Sequence, residues 1–506
     1  MNIRTIALAG TAALALAACA TRTNVTPAAP AHLQLGAPLS FLKSAYVDAF
    51  ATGAMAQITA SGWQAPNLLV IAFADPTTAS SNATIASALS TAASNRSAST
   101  SGNLTFLSIG GATVVPSSWP QSPATLAANM AAQINAYNAS LSGNNQVAGV
   151  DLDLENGFTS ATVNSIAQAM HAVTLANGKP LLVSIAPQVV GVTSVNVDAT
   201  SPTNLGFSAG GINNNFGLAV QNGFVDYVLA QTYNTGPTGI VLNNVTGTNG
   251  QVVNGVNESA VLFAQGIAQA LNNTVQTSCA SATALCIPAT TKIFVGEVVN
   301  QGAGGTYTIF NPTAPTAPPV QYDQSAILTT LASELNYIFS GNRPLYSHIN
   351  GVVVWQLGND YAPRLYGDSY AVNGGFSTMI FGAAAPPAGP NILLQLSNNS
   401  SSTSEITTLI TSAQAYYPFP SVNASSFTTW CTQAASSGTC PDSFILDSIG
   451  AGTFTVQVTP STGAAWLCPA NANGIGPNST VTLLTNLHYN LQVNNDFKSC
   501  AFGTIP

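Results

Sequence analysis

Charge is what this chain most lacks. Only 5% of its 506 residues are charged, 9 Lys and Arg against 17 Asp and Glu, for a net charge of −8. No basic run is present to neutralise phosphates, which excludes nucleic acid as a natural partner. Coiled coils and charged disordered tails need far more charge. Mean hydropathy is +0.28. Even so, beyond the N-terminus no run of about 18 apolar residues occurs, because Ser, Thr, Asn and Gly interrupt every apolar stretch. CxxC pairs are absent and no His lies near a Cys pair, so a zinc site is not indicated. The surface must therefore be built from neutral polar groups, which makes each carboxylate informative.

The N-terminus is organised for export. Arg4 precedes an apolar segment that ends in small residues, which reads as a signal peptide over residues 1–18. Leu16-Ala17-Ala18-Cys19 resembles a lipobox, so Cys19 is the expected lipidated N-terminus of the mature chain. The expected location is the outer membrane, as a lipoprotein, or the extracellular space, with lipid at Cys19 the only membrane attachment. Residues 19–39 are small, polar and Pro-containing, as a flexible tether would be. Six further cysteines, an even number in an exported chain, suggest disulfides. Loop spacing favours Cys279–Cys286, Cys431–Cys440 and Cys468–Cys500 among the 15 possible pairings.

From residue 40 to 382, apolar runs alternate with amphipathic stretches. Strands are expected at 42–47, 67–75, 104–110, 147–155, 180–188, 224–233, 292–299 and 351–358. Helical spacing occupies 122–141, 160–176, 258–274 and 323–340. Eight strands alternating with helices predict an α/β fold, a closed (β/α)8 TIM barrel. A doubly wound open sheet is the other solution, but it needs a glycine-rich phosphate loop that Tyr46-Val47-Asp48-Ala49-Phe50 does not supply. AAAPPAGP at 383–390 reads as a linker. Residues 391–506 hold four cysteines and many Ser, Thr and Asn, and predict a smaller α+β or β-rich accessory domain stapled by disulfides. Trp430 and Trp466 there are core residues or a sugar-stacking face.

Asp151-Leu152-Asp153-Leu154-Glu155 is the most informative segment. Strand side chains alternate, so the three acids share one face while the leucines share the other. In a barrel the acids line the interior, with Glu155 outermost. Neighbours on one face lie roughly 6–7 Å apart. Crowded, buried carboxylates hold protons at higher pH, as a general acid requires. The competing readings are a structural network with Lys179 or Lys292, and a Ca²⁺ or Mg²⁺ site. No metal or organic cofactor is expected.

The motifs resemble those of the glycoside hydrolase family 18 chitinases. The family's fourth-strand DGxDxDxE is matched from Ala148 to Glu155, with Ala148 replacing the first Asp. SxGG is matched by Ser108-Ile109-Gly110-Gly111, AP(E/Q) by Ala186-Pro187-Gln188, the sixth-strand Tyr by Gln231-Thr232-Tyr233-Asn234, and the eighth-strand Trp by Trp355. The resemblance covers residues 40–382. It implies a monomeric enzyme on chitin or another N-acetylglucosamine-containing polysaccharide, cleaving β-1,4 bonds with the substrate's acetamido oxygen as nucleophile. On that reading Glu155 is the acid, Asp153 orients the acetamide, Asp151 shares a proton with Asp153, and Tyr233 donates to the acetamide carbonyl. Trp355 floors the reacting sugar, Gln231 and Asn234 contact it, and Gly110 and Gly111 keep the mouth open.

Alternatives have their own residues. An endo-β-N-acetylglucosaminidase acting on glycan cores uses the same groups. A non-catalytic chitin- or glycan-binding barrel keeps the fold without the reaction. Gly206-Phe207-Ser208-Ala209-Gly210 matches GxSxG, but its flanks are turn-like.

Overall fold

The computed structural model describes residues 41–384, apart from 101, 209–213, 235–238, 248, 261, 281, 283, 301–302, 304–307, 311–323, 342 and 362–373, and the strand backbones after 391. Cys19 and the residues expected to direct export lie outside the described residues.

Eight strands build the first unit: β1 (Leu42–Asp48), β2 (Leu68–Ala74), β3 (Leu104–Gly110), β4 (Val147–Asp153), β5 (Leu182–Ile185), β6 (Tyr227–Gln231), β7 (Lys292–Val298) and β8 (Ile349–Trp355). All neighbours pair in parallel, in the order β7-β8-β1-β2-β3-β4-β5-β6. Pairing of β7 with β6, from Lys292↔Tyr227 to Gly296↔Gln231, closes the barrel. That closure excludes the open doubly wound sheet.

Helices cover the barrel because the strands are apolar on both faces. Helix α1 (Ala83–Asn95) starts at Asn82, whose side chain accepts from the backbone N–H of Thr84 and Ile85. Helices α2 (Pro123–Asn138) and α3 (Ser160–His171) start at Ser122 and Thr159 in the same way. Helix α4 (Leu262–Asn272) and helix α5 (Gln324–Asn336) follow β6 and β7.

Two apolar layers result. Tyr46, Leu68, Val70, Phe106, Tyr227, Leu229, Phe294 and Val353 fill the interior. Leu152 and Leu154 belong to the outer layer, against the helices, and both are fully buried. Each such leucine contributes about 1.5–3 kcal/mol. Ala148, where the family pattern has Asp, packs against the interior cluster.

The expected 180–188 strand divides at Ala186-Pro187. Its second piece, Gln188–Gly191, pairs antiparallel with Leu205–Ser208 and touches β6 at Gln231. The eighth strand begins earlier than expected, at Ile349, and turns into a short helix at Leu357–Tyr361.

Beyond the barrel, the described elements are all strands. One sheet runs Thr439–Leu446, Ile392–Asn398, His488–Val493, Cys500–Ile505. The other contains Ile406–Ser412, Gly452–Pro460, Thr480–Leu483 and Ile475–Gly476, with Trp466–Leu467 beside Gly452–Pro460. Cys279 and Cys286 form the expected disulfide. The side chains of Cys431, Cys440, Cys468, Cys500, Trp430 and Trp466 lie outside the described residues.

Candidate active site

The site grows from β4. Its alternation carries Asp151 and Asp153 into the barrel, and Glu155 follows two residues past the strand end. Asp151 is fully buried, Asp153 nearly so, and Glu155 only in part. The outermost acid is therefore the one that solvent and ligand can reach.

Asp151 is surrounded by hydroxyls. Ser108 on β3 and Ser184 on β5 are its register partners on either side. Ser184 donates to Oδ1 at 2.6 Å and Ser108 to Oδ2 at 2.7 Å. The Tyr46 hydroxyl, from β1, donates to Oδ2 at 3.0 Å. Burial raises the Asp151 pKa, and these three donors oppose the rise. Both oxygens of Asp151 are so engaged, and the hydrogen bond of Asp153 to a neighbouring acid runs outward, to Glu155. Asp153 hydrogen-bonds Glu155, and its pKa stands well above the carboxylate range, first from burial and then from the charges of Glu155 and Asp151. Burial also raises Glu155, against hydrogen bonds from Asp153 and Gln231. The two outer acids interact and titrate together, each at higher pH than a free carboxyl.

Lys179 and Lys292 are exposed at the opposite ends of their strands, so the cationic network is not formed. Among the described residues no three of His, Cys, Asp and Glu are grouped as a metal ion would need.

The other expected residues converge unequally. Gln231, at the end of β6, donates to Asp153 Oδ1 at 3.2 Å and to the Ala186 carbonyl at 3.0 Å. Tyr233 is buried, and its hydroxyl is held protonated by burial and then by the charges of Asp153, Glu155, Glu297 and Asp151. Asn234 is exposed, in the left-handed region at φ 63°. Trp355, at the end of β8, is half-buried, with ring centres 5.6 Å from Tyr46 and 5.9 Å from Phe73. Gly110 has φ +115°, and a Cβ there would lie 2.2 Å from the Asp153 carbonyl oxygen. Gly111 donates its N–H to that same oxygen at 2.7 Å. Gly111 also has positive φ, and a Cβ there would press on Phe73 at 3.1 Å. Ser208, of the GxSxG match, is buried at the end of a strand that pairs antiparallel with Gln188–Gly191, and residues 209–213 that follow it lie outside the described residues.

Tyr46, Phe73, Ser184 and the hydroxyl of Ser108 are functional groups that motif reading passes over. Their signal is an inward-facing polar or aromatic group at period two on β1, β2, β3 and β5. Two further acids sit at strand ends, but each turns back on its own loop. Asp48 Oδ1 accepts from the Phe50 N–H and Asp75 Oδ1 from the Thr77 N–H, both at 2.9 Å.

Fold and site together define a parallel (β/α)8 barrel with a carboxylate ladder at its C-terminal mouth, where barrel enzymes carry their chemistry. Solved structures similar to this chain include a class V chitinase mutant from Nicotiana tobaccum in complex with NAG4 (15% identity, 68% of this chain and 98% of that one, TM-score 0.40). Another is a GH18 chitinase of Flavobacterium johnsoniae (14%, 68% and 94%, 0.36). A third is a xylanase and α-amylase inhibitor protein from Scadoxus multiflorus (14%, 68% and 100%, 0.36). At this distance the likenesses say nothing about chemistry, and they span hydrolases and inhibitors alike. No protein-family model and no curated relative matches the chain.

Proposed function

We propose that the chain is a glycoside hydrolase that cleaves β-1,4 bonds of chitin or N-acetylglucosamine oligomers, with the substrate's acetamide as nucleophile. The observation that carries this reading is the ladder Asp151–Asp153–Glu155, in which only the outermost acid is open and its proton is coupled to the next one in. Glu155 gives its proton to the leaving oxygen. Gln231, hydrogen-bonded to both acids, stabilises the carboxylate left behind. Asp153 accepts from the acetamido N–H, which aims the acetamide oxygen at the anomeric carbon. The Tyr233 hydroxyl, kept protonated by its surroundings, donates to the acetamide carbonyl as charge redistributes. Trp355 offers an apolar ring for the sugar face.

Two carboxyls that both face a bond from opposite sides are the mark of the commoner glycosidases. Here Asp151 and Asp153 lie below Glu155 on the same strand, and Asp48 and Asp75 are committed to turns. This arrangement favours substrate assistance.

The test is hydrolysis of a fluorogenic chitobioside. Wild type is expected to release the fluorophore, and Glu155→Gln to lose roughly 10²–10⁴-fold in kcat while still binding chitin oligomers. A wild type that binds the oligomers without ever cleaving them sinks the reading. Product release from chitin compared with release from a high-mannose glycoprotein then separates the chitinase from an endo-β-N-acetylglucosaminidase.

A further inference from the structure

One buried carboxyl near the site has no part in the reaction above. Phe294 points into the barrel, so Glu297, three residues further along β7, points out behind the wall. It is only 1% exposed. From β6 it faces Thr232, and its charge reaches Tyr233. From β8 its register partner is the uncharged Val354. From the segment entering α4 it faces Glu258, also buried and engaged with a partner of its own.

Thr232 decides where the proton sits. Its Oγ1 lies within hydrogen-bond reach of the Gly296 carbonyl oxygen and, at 2.9 Å, of Glu297 Oε1. A hydroxyl has one proton to donate, and a carbonyl oxygen can only accept. The Gly296 carbonyl oxygen accepts the Thr232 backbone N–H at 3.2 Å; with the hydroxyl proton turned to that oxygen as well, the contact with Glu297 takes its hydrogen from the acid. Glu297 Oε2 has no partner among the described residues. An ionised carboxylate left bare in this way is far more costly than a neutral acid.

We propose that Glu297 is a positioning residue that acts as a neutral acid: its O–H donates to Thr232 Oγ1, Thr232 donates to the Gly296 carbonyl, and this relay pins Gln231-Thr232-Tyr233 against β7. Gln231 then reaches Asp153, and Tyr233 faces the acids. Ionisation forces Thr232 to turn its hydroxyl proton to Glu297, leaving Gly296 held by the Thr232 N–H alone, and it adds a charge beside Tyr233. Burial, reinforced by Glu258, places this event at about pH 8.

The activity arm of the test rests on the hydrolase reading; the stability arm does not. In Glu297→Gln the side-chain amide donates to Thr232 at every pH. Relative to wild type, its ratio of kcat on fluorogenic chitobioside at pH 9 to that at pH 6 is expected to be about tenfold higher, the fraction ionised one unit above a pKa. Its Tm is expected to fall less between those pH values than that of wild type. Parallel Tm curves overturn the neutral acid whatever the activity does. Diverging Tm curves with equal kcat ratios overturn the positioning role. Diverging Tm curves with no hydrolysis by either protein uphold the neutral acid and sink the hydrolase reading instead. Should Glu297→Gln fail to fold, Thr232→Val carries the test: kcat is low at both pH values and Thr232→Ser restores it, whereas a wild-type profile in Thr232→Val overturns the relay.

Discussion

Asp151 shows how a single residue sets the character of the site. It is the deepest acid, yet its three hydroxyl donors make it the most fully solvated by protein. Removing one donor leaves a buried carboxylate under-satisfied, which costs about 1–3 kcal/mol. Ser184→Ala is therefore expected to lower stability to urea by that amount and to raise the Asp151 pKa further. Asp153 behaves differently, because its partners are reactive. In Asp153→Asn the proton shared with Glu155 is lost, and the amide oxygen that remains is an uncharged, weaker acceptor for the acetamide. The expected result is a fall in kcat of roughly 10²–10³, the cost of losing one preorganised polar group, with oligomer binding weakened less. Steady-state kinetics and calorimetric binding separate the two effects.

At the scale of the element, the β3–β4 pair governs the mouth. Gly110 is the register partner of Asp153, and its backbone is in a region closed to side chains. In Gly110→Ala the new Cβ meets the Asp153 carbonyl, so either the strand end or the acid must shift. Stability is expected to drop by more than about 2 kcal/mol, as strained substitutions do, and hydrolysis to fall with it; thermal unfolding and kcat read these in one preparation. Helix α1 teaches a different lesson. Its buried face is Ile85, Ala88, Leu89 and Ala92, a proper helical stripe. Alanine and serine on the remaining faces flatten the contrast, so the period is hard to see in the sequence.

The whole molecule carries an unusual electrostatic load for a chain with so few charges. Asp151, Asp153, Glu155 and Glu297 all hold protons at higher pH than in the unfolded chain. The folded state therefore binds more protons, so stability is fullest below the unfolded carboxyl range near pH 4 and is lost as pH rises through the folded values. Asp198 shifts the opposite way, but it lies at the surface, only partly buried, and weighs little. Thermal unfolding is expected to give a higher Tm at pH 5 than at pH 9, and the gap is expected to narrow in Glu297→Gln. Export belongs to this scale as well. If Cys19 carries lipid, metabolic labelling with a fatty acid marks the wild type and not Cys19→Ser, which then partitions with the soluble fraction.

Much of this was legible before any coordinates. Eight apolar runs in alternation implied the barrel, because a strand covered on both faces has few other homes. The positions of Asp151, Asp153 and Glu155 on one face followed from a period of two, which is a local property of the backbone. What surrounds those acids was not local. Ser108, Ser184 and Tyr46 reach Asp151 across 43, 33 and 105 residues, and Gln231 reaches Asp153 across 78. Only barrel closure and register bring such donors together, and they decide where the shared proton lies. The sequence by itself determined which strand holds the acids and which way they point; the tertiary structure decided which acid is quenched, which is paired and which is open, because pKa depends on the neighbours that folding supplies.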